Sequence, residues 1–445
     1  MNPSQRLVAV GLIAMGGGMA AGGAVHSPEY WACGPLGLFC VALAYTHAKT
    51  PKTAAMVGAI GGFFYFAAAL PFLLSGYASI GMTGLQPIAG VIGLYILLSM
   101  WWPIAFALAF KYGRGRSAPF LLTALWGLAE FLRSFVFPAI PIAQLASITS
   151  QIPVVHLTRL VTVELLSVLL ILICVTAAFD ISKRRWPLPS LTVALGAWVM
   201  GLWANTPVAP PQLPHIASIN TAIPQAQRWD ENVMPTYMSD LTNRTQAAFD
   251  DGAELVVWPE VSVPFFHNEL AEELQGARPP KGAYLGIGIM TPIEEEPGRF
   301  WNSFLILDSD LNEVARYDKR QLFPFGEYIP FAEQLERFLG LSTIATTPNA
   351  IAHGTGTPQI RLPGLDGTII TQICYEGSYA VSRADRNIEG AYIINISNDA
   401  WWEGSSGARF VEQEARLRAI EAGLPLVRVP NMHRSATFDA RGNLM

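Results

Sequence analysis

The sequence predicts a multi-span α-helical membrane part followed by a separate α/β domain. Three observations carry that division. Long apolar runs crowd into residues 1–205, a strand-and-helix alternation begins only near residue 215, and a proline-rich segment lies between them. Of 445 residues, 51% are hydrophobic and 14% charged, whereas a soluble chain carries about a quarter charged residues. The deficit falls almost entirely on the first half. A net charge of −5 offers no basic surface for a nucleic-acid partner. The seven histidines are scattered without metal-ligand spacing, so neither a metal nor another cofactor is expected.

A spanning helix needs roughly 20 mostly apolar residues. Seven stretches qualify: 6–25, 31–47, 54–77, 86–110, 118–137, 157–179 and 187–204. Arg6 followed by an apolar, small-residue run resembles a signal peptide, but further spans follow at once, which favours an uncleaved first helix. Lys49 and Lys52, then Lys111, Arg114 and Arg116, then Lys183, Arg184 and Arg185 occupy every second loop. The alternate loops, 26–30, 78–85 and 138–155, hold no Lys or Arg. Positive loops stay cytoplasmic, so the N-terminus is expected inside and the second half outside, in the periplasm behind a bacterial inner membrane. Glu130 with Arg133, and Arg159 with Glu164, fall at membrane depth. Such charges turn inward or pair. They could mark a polar seam beside a lipid headgroup, but a structural ion pair at i,i+3 is the favoured account.

Residues 206–214, with Pro207, Pro210, Pro211 and Pro214, read as a stiff linker into a domain over 215–445. Strands are expected at 215–220, 254–258, 283–289, 302–308, 368–373, 391–396, 425–429 and 435–439, and helices at 230–250, 267–276, 376–387 and 407–422. This alternation predicts sheets covered by helices. The stretch 332–366 has little periodicity, as a long functional loop or lid would.

Three segments place a reactive group just after a strand. ELVVWPEVSVPFF (254–266) leaves Glu260 where the chain exits a sheet. RYDKRQLFPFGEYIPF (316–331) presents Lys319 and then Glu327, and TIITQICYEGSY (368–379) delivers Cys374 to the start of an expected helix. A helix N-terminus would favour the thiolate. Cys33, Cys40 and Cys174 lie in apolar runs, which leaves Cys374 without a disulfide partner in its own domain. Taken singly, a cysteine after a strand is usually core and a lone Glu or Lys is usually solvated surface. Together they suit acyl transfer. Cys374 attacks a carbonyl, Glu260 takes the thiol proton and later that of the incoming nucleophile, and Lys319 with the backbone N–H of Tyr375 stabilises the oxyanion.

Glu260, Lys319 and Cys374 in this order resemble the nitrilase, or carbon–nitrogen hydrolase, superfamily. Its domain outside a multi-span membrane part is similar to the apolipoprotein N-acyltransferase family. The runs that carry the resemblance are QRWDE (227–231), VVWPE (256–260), WNSF (301–304), DKRQLFPFGEYIP (318–330), ICYE (373–376), SNDAWW (397–402) and EQEARLRAIEAGLPLVR (412–428). ALWGLAEFLRSFVFP (124–138) resembles that family's fifth span. The resemblance implies an αββα sandwich and a ping-pong reaction. A fatty-acyl chain passes from a phospholipid donor to Cys374, then to the α-amine of a lipoprotein acceptor's diacylglyceryl-modified cysteine. It also implies Glu327 and Glu376 as supporting carboxylates and Trp229 as a residue shaping the substrate site. From the residues alone, Glu376 could orient Lys319 or cap the following helix, and Trp229 could be ordinary packing. Trp401, Trp402 and Phe410 could line an acyl path.

Two features depart from the family pattern. Asn431, Met432 and His433 stand where Asn-Thr-Gly or Asn-Asn-Gly is usual, and the sequence ends at Met445, where the family continues into a final span. These departures bring in, as an alternative, the TraB-like conjugal-transfer proteins, with a divergent acyltransferase or amidase activity. A soluble-substrate amidase would not need the apolar half, and a non-catalytic conjugation accessory would not need Cys374.

Overall fold

The computed structural model describes residues 2–79, 84–205, 213–224, 227, 230, 232–263, 274–324, 326–328, 330, 337 and 350–445. The chain divides into two compact units, residues 1–74 with 82–207, and residues 75–81 with 208–445.

Helices occupy all seven stretches expected to be apolar spans. They are α1 (Pro3–His26), α2 (Cys33–Thr46), α3 (Pro51–Ala69) continued by α4 (Leu73–Ser79), α5 (Leu85–Ser99) continued by α6 (Trp101–Tyr112), α7 (Ala118–Phe135), α8 (Val163–Ser182) and α9 (Leu188–Ala204). The break after α3 falls before Pro71 and that between α5 and α6 just before Pro103, because proline lacks the N–H that continues the ladder. The stretch expected from 157 begins as a tight 3-10 turn, Pro153–Arg159, and α8 starts only at Val163, capped by Thr162. Among the described residues, four helical segments are long and apolar enough to cross a membrane: Ser4–His26, Pro51–Ala69, Leu85–Tyr112 and Val163–Ser182. Cys33–Thr46 and Leu188–Ala204 are apolar but shorter. Helices α1 and α3 approach so closely that a Cβ at Gly22 would collide with the Tyr65 carbonyl.

Glu130 and Arg133 do pair, at 2.9 Å. Trp102 Nε1 donates to the second Glu130 oxygen at 2.6 Å, and Arg133 Nη1 donates to the carbonyls of Ile140 and Ile142 at 2.6 and 3.0 Å. Both charges are spent bracing the turn after α7, which supports the structural account. Arg159 donates to the Ala204 carbonyl at 3.3 Å, and Glu164 accepts from Gln144 at 2.9 Å.

The second unit contains two five-stranded sheets. One runs β1 (Ile216–Ser218), β2 (Leu255–Val257), β3 (Tyr284–Pro292), β4 (Phe300–Leu307), β5 (Glu313–Asp318), and the other runs in the order β10 (Ala436–Phe438), β9 (Leu426–Pro430), β8 (Ala391–Ser397), β7 (Thr368–Ile373), β6 (Gln359–Ile360). Strands β5 and β6 lie outside the expected set, since β5 (EVARYD) is half-exposed and charged and β6 has two residues. Val257, Phe304, Ile306 and Tyr317 of the first sheet share one core with Ile373, Ile394, Ile396 and Val429 of the second, so the sheets lie face to face. The opposite face of the first packs against α10 (Met234–Asp250) through Tyr237, Met238 and Leu241. The second carries α12 (Gly407–Ala422) through Ala415 and Ala419, giving the αββα sandwich. The helix expected at 376–387 is instead a 3-10 turn, Cys374–Ser378, and a short helix α11 (Arg383–Arg386). Most of the helix expected at 267–276, about half of the 332–366 loop, Trp229 and much of the 206–214 linker lie outside the described residues.

Candidate active site

Side chains alternate faces along a strand. Asn302 shares the inter-sheet face of β4 with Phe304 and Ile306, and Lys319, one residue beyond β5, shares that of Tyr317. Strands β2 and β5 end where β4 begins, so Glu260, Asn302 and Lys319 meet at one edge of the first sheet. The second sheet brings Cys374 there from the end of β7.

Glu260 is buried, and its carboxylate is fully engaged. Oε1 accepts from Asn302 Nδ2 at 2.7 Å and from Lys319 Nζ at 3.3 Å, and Oε2 accepts the Asn398 N–H at 2.7 Å. The Cys374 thiol also hydrogen-bonds to this carboxylate. The chain turns sharply past it: Val261 has φ +45°, a left-handed conformation costing a β-branched residue about 1–3 kcal/mol. Gly288 of β3 makes room, because a Cβ there would meet the Pro259 carbonyl and Glu260 Cα.

Lys319 is 1% exposed, and its Nζ also reaches Glu327 Oε1 at 2.6 Å. Its backbone is tied on both sides, its N–H to the Asn302 carbonyl and its carbonyl to the Gly354 N–H, both at 2.8 Å. Glu327 Oε2 accepts the Phe323 N–H at 2.7 Å, which closes the turn that presents it.

Cys374 is partly exposed and has φ +52°, a strained left-handed conformation at the sharp turn after β7. Asn395 Nδ2 donates to its carbonyl at 3.4 Å, and the Ser397 hydroxyl hydrogen-bonds its sulfur. Tyr375 is buried, with its ring edge-on to Phe323 and Tyr379. Glu376 does not hold Lys319 directly. Its Oε1 accepts from the Tyr317 hydroxyl (2.8 Å) and the N–H groups of Arg320 (2.8 Å) and Gln321 (3.0 Å), and its Oε2 accepts the Ile373 N–H at 2.8 Å. It therefore caps its own turn, as its position suggested, and also clamps the segment that follows Lys319.

Electrostatics assign the protons. Burial alone would raise the Glu260 carboxyl, but the Lys319 cation and hydrogen bonds from Asn302, Asn398 and Cys374 hold it below the usual carboxylate value. Burial would lower the Lys319 ammonium, yet Glu260 and Glu327 keep it well above its ordinary value. The Cys374 thiol is pushed up to about 12, first by burial and then by the Glu260 carboxylate. This corrects the thiolate expected at a helix N-terminus, because a five-residue 3-10 turn supplies too little dipole to offset desolvation beside an anion. At pH 7 such a thiol is almost entirely protonated.

Four residues of this site had no role in the sequence reading: Asn302, Ser397, Asn398 and Asn431. Asn302 and Asn398 both bind Glu260. Asn431 is fully buried, and its Oδ1 accepts the N–H groups of Asp399 and Ala400, each at 3.1 Å, which fixes the turn that offers Asn398 N–H. His433, the departure from the family pattern, places Nδ1 3.1 Å from Asp399 Oδ2 and adds a side-chain latch to that turn. An asparagine inside the largely apolar strand FWNSFLIL was the available signal for Asn302. Phe410 is 5% exposed on α12 and belongs to packing, whereas Trp401 and Trp402 are half-buried on a 3-10 turn.

The carbon-nitrogen hydrolase family matches residues 215–445, and the apolipoprotein N-acyltransferase N-terminal domain family matches residues 17–176. The apolipoprotein N-acyltransferase of Rhizobium meliloti (strain 1021) is 30% identical over 80% of this chain and 70% of its own length. That of Sinorhizobium fredii (strain NBRC 101917 / NGR234) is 30% identical over 88% of this chain and 77% of its own. That of Methylococcus capsulatus (strain ATCC 33009 / NCIMB 11132 / Bath) is 26% identical over 97% and 86%. These matches favour the N-acyltransferase reading over a conjugal-transfer one. Apolar helices followed by a nitrilase-like sandwich, matched over most of their length by enzymes of one name, make this chain an acyltransferase belonging to the apolipoprotein N-acyltransferase family.

Proposed function

We propose that this enzyme moves a fatty-acyl chain from a membrane phospholipid, through a Cys374 thioester, to the α-amine of a lipoprotein's N-terminal diacylglyceryl-cysteine. The observation that carries the reading is the convergence of Glu260, Lys319 and Cys374, with the thiol hydrogen-bonded to the carboxylate that would take its proton.

In the first half-reaction Cys374 Sγ bonds to the ester carbonyl carbon as its proton passes to Glu260. The carbonyl oxygen becomes an oxyanion. Lys319 has three N–H donors and spends two on Glu260 and Glu327, which leaves the third for that oxygen beside the Tyr375 N–H. Collapse breaks the ester C–O bond, and the leaving alkoxide takes the proton from Glu260. In the second half a neutral amine attacks the thioester and yields its proton to Glu260. Collapse then breaks the C–S bond and returns the proton to sulfur. Glu327 holds Lys319, Glu376 holds the turns around Lys319 and Cys374, and Trp229 shapes the substrate site.

The positive loops support an N-terminus in the cytoplasm and a domain over 215–445 in the periplasm, with the apolar helices crossing the inner membrane seven times. A reporter phosphatase that is active only outside the cytoplasm, fused after residue 205, should be active, and an inactive fusion would sink that orientation. For the chemistry, the test is intact-mass analysis of the full chain after incubation with phospholipid micelles. A fatty-acyl adduct that disappears on thiol treatment and is absent from Cys374→Ala is the expected result. An adduct that persists in Cys374→Ala would overturn the thioester.

A further inference from the structure

Asn302 is 2% exposed and touches two of the three reacting side chains' mountings at once. Its Nδ2 donates to Glu260 Oε1 at 2.7 Å, and its backbone carbonyl accepts the Lys319 N–H at 2.8 Å. Among the described residues, its buried Oδ1 has no hydrogen-bond partner. The polar work of this amide is therefore its donor alone, because turning the oxygen toward Glu260 would set two acceptors face to face. A buried acceptor left unpaired is costly, and an apolar residue would suit this inter-sheet position better than asparagine unless the donor were needed.

Glu260 Oε1 also accepts from Lys319, at a longer 3.3 Å, and that cation is drawn toward Glu327 at 2.6 Å. The shorter Asn302 donor opposes a swing of Glu260 onto Lys319 into a closed ion pair that would leave the thiol. The other Glu260 oxygen is held by Asn398. The amide and the Asn398 N–H thus grip the carboxylate from both ends and fix the oxygens for the sulfur's proton.

We infer that Asn302 is a positioning residue for acyl transfer, holding Glu260 through its side-chain donor and Lys319 through its carbonyl so that base and cation keep separate tasks. This rests on Glu260 acting as the base for Cys374.

The decisive variant is Asn302→Asp in the full chain, with the rate of Cys374 acylation by phospholipid micelles read by mass across pH. A carboxyl at this place donates to Glu260 only while protonated, and two carboxylates sharing a site hold one proton to higher pH than either would alone. The expected result is a rate near that of the parent at about pH 5 that falls relative to it, toward about tenfold per pH unit, as the shared proton leaves. Asn302→Leu, which removes the donor in a side chain of similar shape without adding charge, is expected to lower the rate about 10- to 100-fold at every pH, with little change in the phospholipid KM. A constant ratio of Asn302→Asp to parent across pH, or a parent-like rate in Asn302→Leu, overturns the inference. Should the Asp variant fail to fold by thermal unfolding, the Leu variant decides. An adduct surviving in Cys374→Ala would reject the base-and-nucleophile reading instead, whatever the Asn302 variants do.

Discussion

Glu376 Oε1 accepts the Tyr317 hydroxyl at 2.8 Å, linking the turn that carries Cys374 to the strand that leads into Lys319. The same oxygen takes the Arg320 and Gln321 N–H groups, so one buried carboxylate sets the distance between Lys319 and Cys374. Glu376→Gln would turn an N–H₂ toward donors on one side or the other. It should cost about 1.5–3 kcal/mol of stability and lower acylation about tenfold or more. Thermal unfolding and adduct formation, measured on one preparation, check both. An unchanged midpoint would refute the clamp.

Glu260→Gln removes the base and also the anion that helps raise the thiol. At neutral pH the rate of Cys374 acylation should fall about 10²- to 10⁴-fold. Because the remaining route needs preformed thiolate, the residual rate should then climb about tenfold per pH unit on the alkaline side. A flat residual profile would mean that deprotonation of Cys374 is not what Glu260 provides.

In the parent enzyme the sign runs the other way. The Glu260 carboxyl lies below the usual carboxylate value of 4.5 and the Lys319 ammonium well above its ordinary 10.5. Both groups keep their working charge through neutrality. Acylation should therefore hold a plateau from about pH 6 to about pH 9, losing rate on the acid side only as pH falls through the lowered Glu260 value. A rate-versus-pH series on the first half-reaction tests this, and a midpoint near neutrality would contradict it.

Lys319→Arg keeps the charge but not the fit. Lys319 is 1% exposed, between two carboxylates, where a planar guanidinium does not fit. Lys319→Arg and Lys319→Met should both lower acylation about 10²- to 10³-fold. Recovery by Arg would show that charge alone suffices.

Gly288→Ala tests the close passage behind Glu260. Its Cβ would press on the Pro259 carbonyl and Glu260 Cα, at a cost of about 1–3 kcal/mol. Acylation should fall with little change in KM, since only Glu260 moves. A parent-like rate constant would show that the passage has slack.

The sequence by itself determined the division into an apolar helical part and an α/β domain, and it singled out Glu260, Lys319 and Cys374, which the fold brings together. Period-2 runs, apolar length and strand-end placement are local properties that a single chain displays. Strand β7 and helix α12 fell within the ranges expected for them, because both are continuous, well-patterned segments. Only the tertiary structure decided what those residues are at rest. The thiol of Cys374 is raised rather than lowered because burial and the Glu260 anion, 114 positions away in sequence, outweigh a short turn's dipole. Asn302, Asn398 and Asn431 acquire their tasks only when strands remote in sequence end at one edge. A hydrogen bond between distant segments leaves no periodic trace in either of them.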